Sequence, residues 1–71
     1  MELSKAEIEI LDLLCEGLSN TEISERRFTS RSTTKAHLIK IYKKMGFAKN
    51  TDNVRLKTIL KYREIKNAGL Y

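Results

Sequence analysis

The sequence predicts an all-α domain, a bundle of four helices. Three features point that way. There is no proline and there are only three glycines among 71 residues, so little in the chain breaks a helix. Apolar residues recur at the three- and four-residue spacing of one helix face. Helix-start and helix-stop residues divide the chain into four segments.

The first helix is expected at about residues 5–16. Ser4 and Glu7 have the S-x-x-E form of a capping box. Ile8, Leu11, Leu14, Cys15 and Leu18 then fall on one stripe, and Gly17 supplies a left-handed stop. Ser19 and Glu22 repeat the capping box. They open a short second helix, about residues 20–27, with Ile23 turned inward. Phe28-Thr29-Ser30 form a brief turn, and Ser30 caps a third helix over about residues 31–45, stopped by Gly46. Thr51 or Asp52 starts the fourth helix, with Val54, Leu56, Ile59, Leu60 and Ile65 on or near its inner face. Residues 67–71 are expected to fray.

This length allows one domain, residues 1–71 with a core at about 3–66. A chain so short buries only about 60% of its unfolded surface, so the core is thin. The apolar share of 41% suffices for one such core. No apolar run reaches the ~20 residues of a membrane span, and the first ten residues lack the pattern of a secretory signal. The single cysteine, Cys15, excludes an internal disulfide and a cysteine-based zinc site. These features read as cytosolic.

The formal net charge is +5, unevenly spread. Residues 1–16 hold five acids against Lys5, whereas residues 31–49 hold six bases and no acid. A basic half beside an acidic half suits a polyanion on one face. Two helices joined by a three-residue turn have helix-turn-helix geometry, although that turn lacks glycine.

On a helical wheel of the third helix, Leu38, Ile41, Tyr42 and Met45 cluster toward the core. Ser32, Thr33, Ala36, Ile39, Lys40, Lys43 and Lys44 lie opposite, with Lys35 at the border. A plain solvated face would place acids four residues from its lysines, and this one has none. Lysines and hydroxyls suit phosphate oxygens or base-edge acceptors. Ala36 permits close approach, and Ile39 suits a thymine methyl. A side contact of Ile39 with another helix, and a capping role for Thr33, stand as the structural alternatives.

These residues resemble the LuxR-type (LuxR/FixJ/NarL/GerE) helix-turn-helix DNA-binding domain. Its opening block appears as Leu3-Ser4-Lys5-Ala6-Glu7-Ile8-Glu9-Ile10-Leu11, and its second as Gly17-Leu18-Ser19-Asn20-Thr21-Glu22-Ile23-Ser24. The third appears as Ser30, Thr33, Thr34, Lys35, His37, Ile41, Lys44, Met45 and Gly46, and the last as Asn50-Thr51-Asp52-Asn53-Val54. The resemblance implies a bacterial transcription regulator, or the output domain of one, with its third helix in the major groove. Lys35, Ala36 and Ile39 would then face bases. Asn20, Thr21, Thr33, Lys40 and Lys44 would lie near the phosphate backbone, joined by Lys43 from the wheel. The fourth helix, about Asp52 to Tyr62, would present a dimer surface at Val54, Arg55 and Thr58. Arg27, Thr29 and Thr34 depart from the usual Leu, Ile or Val, and Ala6 from the usual Arg. Arg27 is expected to lay its stem on the core and keep its head in water or on a phosphate.

Double-stranded DNA is thus the expected partner, with a homodimer through the fourth helix and no membrane. The competing reading is a protein-interaction module on the same frame, with the fourth helix meeting a partner helix or RNA polymerase. An enzyme is not expected. One His, one distant Cys and no glycine-rich loop assemble no nucleophile with its base, and nothing calls for a metal or cofactor.

Overall fold

A computed structural model of the chain describes residues 2–47 and 53–69. Four helices, α1 (Lys5–Cys15), α2 (Asn20–Arg27), α3 (Arg31–Lys44) and α4 (Val54–Asn67), account for its regular structure. The described residues include no strand.

Local chemistry explains the first three starts. Both capping boxes form: Ser4 and Glu7 cap each other's backbone at α1, as do Ser19 and Glu22 at α2. At α3, the Ser30 hydroxyl accepts from the Thr33 N–H at 3.1 Å.

The three helix ends share one device. The Leu18, Thr29 and Phe47 N–H groups reach back to the Leu13, Ser24 and Tyr42 carbonyls, and the preceding N–H groups bond Leu14, Glu25 and Lys43. This is the Schellman pattern, which needs a left-handed residue just past the helix. Gly17 and Gly46 supply it at φ 86° and 88°, and Phe28 supplies it at φ 55°. The turn between α2 and α3 therefore works without glycine, at the expense of an aromatic residue in a conformation disfavoured by its Cβ.

The core comprises Ile10, Leu11, Leu14, Ile23, Leu38, Ile41, Met45 and Tyr62. Full burial of such a side chain is worth about 1.5–3 kcal/mol. The stripe expected on α1 is rotated slightly: Ile10 is fully buried, whereas Ile8, Cys15 and Leu18 pack at the edge. Tyr42 likewise is half-buried against the core.

The polar departures at the turn are accommodated. Thr34 is buried, and its hydroxyl lies 2.7 Å from the Ser24 hydroxyl and 3.4 Å from that of Thr29. Ser24 also donates to the Asn20 carbonyl at 2.8 Å. The contact of Thr34 between α2 and α3 is thus hydrogen-bonded, which avoids the penalty for a buried unpaired hydroxyl. The Arg27 side chain is 18% exposed and its guanidinium pairs with Glu9. Its stem is covered as expected, but its head meets an acid of α1 rather than a phosphate.

The fourth helix differs most from expectation. It is preceded by Asn53 at φ 65° with no side-chain cap, and begins at Val54. The expected starters Thr51 and Asp52 lie outside the described residues. The helix continues well past Tyr62, through Asn67, and Ala68 caps it by donating to the Glu64 carbonyl at 3.0 Å. Of the tail expected to fray, Leu70 and Tyr71 lie outside the described residues.

The inner face of α4 carries Val54, Thr58 and Tyr62, one turn apart. Ile59 and Ile65 pack beside them, while Leu56 and Leu60 are about half exposed, at 53% and 51%. Tyr62 donates to the Asp12 carboxylate at 2.9 Å, and Lys66 binds the same oxygen at 3.0 Å. Lys61 donates to the Met45 carbonyl at 2.7 Å, closing the end of α3. Arg55 binds the Asn20 side chain at 2.8 Å and the Leu18 carbonyl. These polar contacts fix which side of α4 turns inward.

Candidate nucleic-acid interface

The position of α3 follows from its inner stripe. Thr34, Leu38, Ile41 and Met45 are each at most 2% exposed and recur at three- and four-residue spacing. That stripe fixes the helix rotation and turns Ser32, Thr33, Lys35, Ala36, Ile39, Lys40 and Lys43 outward, all exposed. Ile39 is 46% exposed and is not covered by another helix. Lys35, Ala36 and Ile39 share one side because positions i, i+1 and i+4 fall together at 100° per residue.

Arg31, Lys35, Lys40 and Lys43 are all exposed, and among the described residues none of them forms an ion pair. No acid occurs in α3. The outer face is therefore a row of cations without internal counter-charge. Lys44 stands apart. Its ammonium lies 2.7 Å from Glu7, whose carboxylate is almost fully buried. Burial pushes the Glu7 pKa up, but hydrogen bonds from Lys44 and Ser4, with the charge of Lys44, outweigh it and hold the carboxyl below its ordinary value. Lys44 thus ties α3 to the start of α1.

Asn20 and Thr21 sit at the first turn of α2, beside the first turn of α3. An open groove between them is lined by Asn20, Thr21, Arg31, Ser32 and Lys35. The Asn20 side-chain oxygen Oδ1 is taken by Arg55, which leaves the side-chain NH2 as donor. Thr33 does not line the groove, and its exposed hydroxyl lies 2.9 Å from that of Ser30, the cap of α3. Arg31 was missed as a site residue by sequence reasoning. Its signal was available: a cation opening a helix, with Lys35 four residues on and no acid nearby.

The residues expected at a dimer surface are turned toward the chain itself. Val54 is 7% and Thr58 0% exposed, both buried in the chain's own core. Arg55 is occupied by Asn20 and Leu18. The apolar residues that α4 leaves outside are Leu56 and Leu60.

Residues 1–57 match the family model described as bacterial regulatory proteins, luxR family. The chain belongs to that family. The family is one of DNA-binding regulators and not of enzymes. The chain is 48% identical over 44 residues to the oxygen regulatory protein NreC of Staphylococcus aureus strains JH9, JH1 and USA300, covering 62% of this chain. It spans about a fifth (20%) of the length of these curated relatives. No solved structure gave a significant match. No described helix of this luxR-family chain is long and apolar enough to cross a membrane.

Proposed function

We propose that this luxR-family chain binds double-stranded DNA sequence-specifically, with α3 in the major groove, and so regulates transcription in the bacterial cytoplasm. The observation that supports this best is the outer face of α3. It presents four exposed cations without ion pairs among the described residues, around an exposed Ala36 and Ile39. Lys40 and Lys43 bind phosphates and displace counterions, while Lys35, Ala36 and Ile39 meet base edges. Asn20 and Thr21 hold the adjoining backbone.

Two copies read two half-sites related by a two-fold axis. The exposed Leu56 and Leu60, one turn apart on α4, favour that helix as the dimer surface. Their exposure also suits a second reading, in which α4 docks on another protein such as RNA polymerase.

Selection of bound duplexes from a random pool, followed by a salt titration, tests the proposal. A palindromic consensus is expected. With about four to six phosphate contacts per protomer, log affinity should fall against log salt with a slope of roughly −0.9 for each. Affinity that ignores ionic strength, or a pool without enrichment, would reject it.

A further inference from the structure

We infer that the groove between the first turns of α2 and α3 seats one phosphate of the DNA backbone, with Arg31 as its main cation. This rests on the reading of α3 as the DNA-contacting helix. It adds a residue that neither the family resemblance nor the outer-face pattern assigned.

The groove is lined by Asn20, Thr21, Arg31, Ser32 and Lys35. Every polar side chain in that set can donate. The guanidinium and ammonium do nothing else, the Thr21 and Ser32 hydroxyls are exposed, and the Asn20 oxygen is already bound to Arg55 at 2.8 Å. No acid lines the groove. Such a surface, with two cations and no carboxylate, repels a cation and suits a tetrahedral oxyanion, which guanidinium matches with paired donors.

No ion pair among the described residues uses Arg31 to hold the fold together. A cation at the first position of a helix opposes the helix dipole. Arg31 and Lys35 stand four residues apart, where like charges repel. The first turn of α3 holds no acid to offset either, and Arg31 forms no ion pair among the described residues. Two unfavourable terms thus meet at one groove, and both are relieved when an anion enters it.

Fluorescence anisotropy with a selected duplex and a scrambled one, each over a salt series, tests the assignment. Arg31→Ala should make the salt slope less negative by about 0.9, a five- to tenfold loss of affinity at about 0.1 M salt. The loss should be equal for both duplexes, because a phosphate contact carries no base information. Arg31→Lys should recover most of the slope, and the Tm of the Ala variant should equal or exceed that of the parent. If Arg31→Ala leaves slope and affinity unchanged while Lys40→Ala lowers both, the groove holds no phosphate and the DNA reading stands. A loss confined to the selected duplex would make Arg31 a base reader and overturn the assignment. Binding of the parent that is insensitive to salt would remove the DNA reading and this assignment with it.

Discussion

Phe28 stands at φ 55° and is 95% exposed, so its ring gains little from folding while its backbone is strained. The left-handed region costs a residue with a Cβ about 1–2 kcal/mol, part of which glycine recovers and part of which its greater chain freedom offsets. Phe28→Gly should therefore stabilise the domain by about 0.5–1 kcal/mol, raising Tm by roughly 2–8 °C for a chain of this size. A scanning thermal melt checks this, and a lower Tm would mean that the ring has a packing role. At this scale the capping boxes were legible because each joins residues three apart. The Schellman stop at Phe28 was not, since its sequence signal is glycine. The hydrogen bonds of Thr34 to Ser24 and Thr29 were also hidden, because they depend on how α2 and α3 meet.

Elements differ in how fully the apolar pattern accounts for the inner face. In α3 the apolar period coincides with the buried stripe, and the rotation of the helix could be read from sequence. In α4 it does not. Thr58 and Tyr62 face inward, held by Tyr62 on Asp12 and by Lys61, Lys66 and Arg55 around them, while Leu56 and Leu60 stay outside. Apolar counting along α4 therefore placed Val54, Ile59 and Ile65 but not Leu56 and Leu60. Adjacent lysines at the end of α3 also take different tasks. Lys44→Ala leaves the buried Glu7 without its cation and should lower stability by about 1–3 kcal/mol, allowing for the partial exposure of Lys44. Lys43→Ala should leave Tm nearly unchanged but weaken DNA binding and flatten its salt dependence. Urea denaturation and a binding titration on both variants separate the two roles, and equal effects on stability would contradict the assignment.

Across the whole molecule, the acids of α1 serve as internal counter-charge. Glu9 pairs with Arg27 of α2, Glu7 with Lys44 of α3 and Asp12 with Lys66 of α4. The uneven charge distribution was visible in sequence, but its resolution was not, since these pairs join residues 18, 37 and 54 positions apart. Cations thus neutralised belong to the fold, and the unpaired ones on α3 remain for a ligand. Stability should follow the same logic in acid. The pKa of Glu7 is lower in the fold than its ordinary 4.5, so its contribution is complete above that value and lost as pH falls through the folded one. Glu22, lowered by its hydrogen bonds to Ser19, acts in the same direction. Tm measured between pH 7 and 3 should hold above about pH 5 and drop below it. Glu7→Gln should lower the plateau and flatten the drop.

Backbone amide shifts recorded while a selected duplex is titrated into the labelled protein test the central claim most directly. Large changes along Arg31–Lys44 and at Asn20 and Thr21, with the far side of α1 quiet, are the result expected for a helix laid in the major groove. Changes concentrated on α4 or on α1, with α3 unmoved, would contradict it.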